Sequence, residues 1–127
     1  MVHVLNANAI DPSVFEWASL PEEEVYAGIF RQTISGDKQT MVRYRYAPSS
    51  VFPLHSHPQE QITLVISGEI VFTVAGQEMT LSAGQTAIIP SGVEHGARVI
   101  GTEWVETFNA MSPRRDVCPG PIEGGRP

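Results

Sequence analysis

The chain has 127 residues and a formal net charge of −6, with eight Lys and Arg against fourteen Asp and Glu. That balance makes nucleic acid and anionic membrane poor partners, and no apolar run approaches the roughly eighteen residues of a membrane-crossing helix. One domain is expected at this length; the single cysteine, Cys118, excludes an internal disulfide, and with no secretory signal at the N-terminus this predicts a cytoplasmic protein.

Residues 1–25 are mixed in character and read as an N-terminal arm. Ser19, Pro21 and the acids Glu22, Glu23 and Glu24 have the chemistry of a helix start, enough for a short turn. From Tyr26 the pattern becomes strand, turn, strand. Ile29–Ser35 stops at Gly36-Asp37, and Thr40–Tyr46 alternates Met41/Arg43/Arg45 against Val42/Tyr44/Tyr46. The tyrosine face is expected to fill the core and the arginine face to be solvated, because arginine is seldom buried unpaired. The opposite orientation would let the arginines clamp a carboxylate inside.

Further strands are predicted over 61–67, 69–74, 77–82, 86–89, 95–99 and 102–111, broken at Gly68, Gly76, Gly84, Gly92 and Gly101. Many short strands between glycine turns indicate an all-β sandwich or barrel. The barrel is expected over 26–115, followed by a flexible glycine- and proline-rich tail over 116–127. Trp104 and Phe108 share a face of the last strand and are expected in the core or an interface.

Three of the four histidines fall in two glycine-framed blocks. The first reads His55-Ser56-His57-Pro58-Gln59-Glu60-Gln61 and runs on to Gly68. The second has Gly84, Pro90, Gly92 and His95 at G-x5-P-x-G-x2-H spacing. In an extended segment residues i and i+2 share a face, so His55 and His57 can aim at one point. Imidazole is the commonest metal ligand, and His95 from a neighbouring strand would complete a triangle. His3 lacks such a setting and reads as an ordinary core or surface residue, and Glu94 alternates away from the site.

These blocks resemble the two motifs of the cupin superfamily, whose fold is a small jelly-roll barrel, the double-stranded β-helix. Val99 stands where the second motif usually has Asn, and Ser49 where the first opens with Gly. The resemblance implies a metal held by His55, His57, His95 and a fourth ligand. Counting back from Gly68 puts the family's glutamate position at Gln61, which has the strand parity of the histidines; the neighbouring Glu60 is the alternative if Pro58 disturbs the alternation. Three imidazoles and an amide oxygen are neutral, so a divalent ion would keep its full charge and act as a strong Lewis acid. Mn, Fe, Ni, Cu or Zn would all suit such a site.

The block from His55 to Gln61 and the ending Ser112-Pro113-Arg114-Arg115 also look like the KdgF-type pectin-degradation cupins, which convert unsaturated uronates into linear keto-acids. That likeness implies substrate-binding roles at Asn109, Met111 and Arg115. Asn109 and Met111 replace an aspartate and a phenylalanine of that pattern. An amide cannot act as a general base, which leaves Glu106 as a candidate for proton transfer.

The expected function is therefore Lewis-acid chemistry, as an isomerase, ring-opening enzyme or lyase on a small oxygenated or carboxylated carbonyl or sugar-acid substrate. A dioxygenase of the quercetinase type and a non-catalytic ligand-binding cupin are the rivals. A homodimer is expected too, since small jelly-roll domains leave edges and apolar surface to cover and Lys38 is the only lysine.

Overall fold

The computed structural model describes residues 4–6 and 12–115; His3, Cys118 and the tail expected over 116–127 lie outside them. Eleven strands are present among the described residues. They are β1 (Val4–Asn6), β2 (Glu23–Tyr26), β3 (Ile29–Ser35), β4 (Thr40–Tyr46), β5 (Val51–His55) and β6 (Glu60–Ser67), followed by β7 (Glu69–Val74), β8 (Gln77–Ser82), β9 (Thr86–Ile89), β10 (His95–Arg98) and β11 (Val105–Ser112).

Two sheets enclose the interior. The larger has the order β1-β3-β4-β11-β6-β9, with β2 also on β3, and the smaller has the order β5-β10-β7-β8. All pairings are antiparallel except β1 on β3. This is the all-β jelly roll expected from the motifs. The predicted helix start at Ser19 gives one 3₁₀ turn, Trp17–Ser19, and Glu23 and Glu24 belong to a strand instead. Residues 4–6 and 23–25 of the expected arm thus belong to strands of the larger sheet.

Alternation fixes which side chains face in. In β4, Val42, Tyr44 and Tyr46 are buried, and Met41, Arg43 and Arg45 lie outside. Tyr44, Phe52, Val65, Phe72 and Met111 belong to one core cluster fed by both sheets. Gly68 closes the β6–β7 turn at φ +83°, and a Cβ there would sit 2.6 Å from the Trp104 carbonyl oxygen. Only glycine meets both demands.

The larger sheet carries polar residues inward at several positions and apolar ones outward. On β6, Gln61, Thr63 and Val65 face in while Ile62, Leu64 and Ile66 face out. On the outside, Ile34, Met41, Ala110, Ile62 and Ile88 form one cross-strand row.

Candidate metal centre

His55 ends β5, His57 follows two residues later in the connection to β6, and His95 opens β10 directly opposite His55. One ligand atom from each lies within 4.8 Å of the others. Each ring is oriented by main chain. Nδ1 of His55 meets the Pro53 carbonyl at 2.9 Å, that of His57 the Gln59 carbonyl at 3.0 Å, and that of His95 the Val93 carbonyl at 2.9 Å. A carbonyl only accepts, so every Nδ1 carries the proton and every Nε2 presents a lone pair, the usual outer-shell arrangement of ligating histidines.

Burial is the first cause holding these imidazoles neutral. It pushes His55 down to about 3, with His95, His57 and Arg115 adding repulsion, and His57 down to about 4, with Arg115 next in weight. His95 is lowered for the same reason. Neutral rings are the form a metal requires.

Two atoms at the centre fit a cation. Nε2 of His95 is buried with no hydrogen-bond partner, which would be costly if nothing else engaged it. Oε1 of Gln61 lies 3.1 Å from Nε2 of His57, although both atoms present lone pairs. Gln61 is buried and Glu60 is exposed, so the amide faces the histidines and the neighbouring carboxylate faces away.

The other predicted site residues divide. Met111 is buried, opposite Gln61 across β6 and β11, and lines the cavity. Arg115 bears electrostatically on all three histidines. Its backbone N–H donates to Thr40 Oγ1 at 2.9 Å, and its Nη1 donates to Gln59 Oε1 at 3.1 Å. Asn109 is wholly buried beneath Gln61 and bonded to it at 3.2 Å. Glu106 is the exception. Strand parity puts it on the outer face, where it accepts from Arg43 Nε, so its expected part in proton transfer is withdrawn.

Sequence reading missed Arg31 and Tyr44. Arg31 is 2% exposed, points inward from β3 and pairs with Glu23 at 2.7 Å. Its positive charge also bears on the buried Tyr44 hydroxyl. Tyr44 lines the cavity that His55, Gln61, His95 and Met111 border. That cavity is small, with a volume of about 20 Å³ for the centre of a water molecule, room for one or two waters.

A family model described as a cupin domain matches residues 42–110, which hold all three histidines and Gln61. The chain belongs to the cupin family. It is similar to the H2HPP isomerase of Bacillus subtilis, 37% identical over 67 residues, or 52% of this cupin and 28% of that protein. The chain thus matches under a third of that relative's length. Among solved structures, KdgF from Halomonas sp. superposes with a TM-score of 0.76 at 25% identity, covering 84% of this cupin and 97% of that chain. An RmlC-like cupin from Shewanella frigidimarina shares the fold, with a TM-score of 0.76 at 22% identity over 84% and 95% of the two chains.

Proposed function

We propose that this cupin is a metal-dependent enzyme that isomerises, ring-opens or eliminates from a small carboxylated carbonyl compound or sugar acid. The observations carrying the reading are the three histidine ligand atoms within 4.8 Å of one another, the Gln61 oxygen 3.1 Å from His57 Nε2, and the buried, unpartnered Nε2 of His95. His55, His57 and His95 through Nε2, with Gln61 through Oε1, would hold one divalent ion, of Mn, Fe, Ni, Cu or Zn. Such an ion supplies Lewis acidity, polarising a carbonyl oxygen and stabilising developing enolate charge. Likeness to an H2HPP isomerase supports non-oxidative chemistry.

The chain's own groups do the rest. Arg115, its backbone latched to Thr40, offers a planar fork to the substrate carboxylate. Burial keeps the hydroxyls of Tyr44 and Tyr46 protonated, so both line the cavity as hydrogen-bond donors to a substrate oxygen. Aromatic walls exclude bulk water from the reacting end.

Screening uronates, α-keto acids and flavonols with and without oxygen tests the reading. Turnover without oxygen is expected, and Arg115→Ala should weaken carboxylate binding by about 1.5–3 kcal/mol, typical for a hydrogen bond to a charged group. Strict oxygen dependence would favour a quercetinase-type dioxygenase, and saturable binding without turnover a ligand-binding cupin. Unaltered affinity in Arg115→Ala would remove that residue from the substrate site.

We also propose that the protein is a homodimer joined through the outer face of the larger sheet. Support comes from the apolar row of Ile34, Met41, Ala110, Ile62 and Ile88, in which Ile88 is 61% exposed. A two-fold contact would bury the same row from both copies. Light scattering at micromolar concentration should give twice the chain mass, and Ile62→Glu should halve it. A monomeric native protein would end the idea.

A further inference from the structure

The buried amide beneath the histidines has a more specific role than substrate contact. Asn109 is wholly buried, and its whole hydrogen-bonding capacity is already engaged. Its Nδ2 donates to the Val42 carbonyl at 3.1 Å and to Thr107 Oγ1 at 3.0 Å. Its Oδ1 accepts from Thr63 Oγ1 at 2.7 Å and from Gln61 Nε2 at 3.2 Å. A primary amide has two N–H donors and two carbonyl lone pairs, so nothing is left over to bind substrate or shuttle a proton.

These bonds transmit a direction. The Val42 carbonyl can only accept, so the Asn109 group facing it must be the NH₂. The Asn109 oxygen therefore faces Gln61, and an oxygen needs donors. Gln61 must answer with its own NH₂, which also donates to Thr63 Oγ1 at 2.9 Å. Its carbonyl oxygen is thereby turned to the other side, 3.1 Å from His57 Nε2. Turning either amide over would set carbonyl against carbonyl or N–H against N–H in a buried site, with two groups left unsatisfied.

We infer that Asn109 is a positioning residue that locks the Gln61 amide with its oxygen, rather than its NH₂, aimed at the metal centre. This rests on the proposed ligand role of Gln61. A carboxylate at position 61 would need no such lock, because both of its terminal atoms are oxygens. An amide ligand does need one, because a flipped Gln presents two hydrogens to a cation. The backbone carbonyl of Val42 thus acts on the centre through Asn109, a route invisible in the metal motif itself. Position 109 binds no substrate in this account.

The test uses the full chain, stripped with chelator and titrated with Zn²⁺ by competition calorimetry. In the native background Asn109→Leu should lower Zn²⁺ affinity about 10- to 100-fold, the usual consequence of losing a group that orients a ligand. In a Gln61→Glu background the same change should leave affinity equal or higher, because it removes the Asn109 oxygen that there faces a carboxylate oxygen. Thr63→Val, which removes the other grip on the Gln61 NH₂, should behave alike and serves if Asn109→Leu does not fold. Equal losses in both backgrounds would make Asn109 a purely structural residue, and no loss in either would likewise overturn the inference. Gln61→Ala separates the two claims: unchanged affinity there would remove Gln61 as a ligand, whereas a loss there with a silent Asn109→Leu would overturn only the lock.

Discussion

Replacing His95 with alanine is expected to abolish stoichiometric metal binding. The imidazole occupies a buried position with its Nδ1 tied to the Val93 carbonyl and its Nε2 unpartnered, so the side chain has little structural reason to be polar except at the centre. Four-ligand protein sites hold zinc with about 10–16 kcal/mol, so each ligand is worth about 3 kcal/mol and its loss lowers affinity more than 100-fold. Elemental analysis of purified protein should fall from about one metal per chain to near zero, in His57→Ala as well as in His95→Ala. Glu60→Ala should retain metal, because that carboxylate is exposed. Native metal content in both histidine variants would sink the centre; loss in Glu60→Ala would mean the wrong fourth ligand.

The barrel and the histidine cluster were legible because each rests on local chemistry. Glycine turns punctuate the strands, and motif spacing brings His95 opposite His55. His57 reaches the cluster for a partly different reason than strand parity: it lies in the connection beyond β5, not in a continuing strand, and its ring is aimed by the Gln59 carbonyl. The surroundings of Asn109 and Glu106 could not be read from motif alignment. Both follow from β11 parity together with cross-strand partners, Thr63 and Gln61 for one and Arg43 for the other, and these are long-range facts. Arg31 was hidden by an inverted pattern. On β3 the inward face carries Ile29, Arg31, Thr33 and Ser35, while Phe30 and Ile34 lie on the outer one. Periodicity alone would assign the more apolar set to the core; a barrel with a polar interior reverses that preference.

Breaking the Arg31–Glu23 pair is expected to be among the most destabilising single changes in the protein. The Arg31 side chain is 1% exposed and that of Glu23 is 10% exposed. Nε and Nη2 of Arg31 both donate to Glu23 Oε1, at 3.2 and 2.7 Å, while Glu23 Oε2 is buried without a partner. Arg31→Met keeps most of the volume but strands that carboxylate, and removing one partner of a buried ion pair typically costs about 3–5 kcal/mol. A second change, Glu23→Met, should restore most of the loss, because the pair had to offset the desolvation of both ions in the first place. Urea denaturation of metal-free protein at one fixed concentration reads both effects, free of metal linkage. A loss under about 1 kcal/mol in Arg31→Met would mean the pair is effectively solvated. The consequence reaches the cavity through Tyr44, which feels the Arg31 charge and shares a wall with His55 and Gln61. Arg31→Met therefore removes that positive charge from the Tyr44 side of the cavity, and the double variant should regain stability without restoring it.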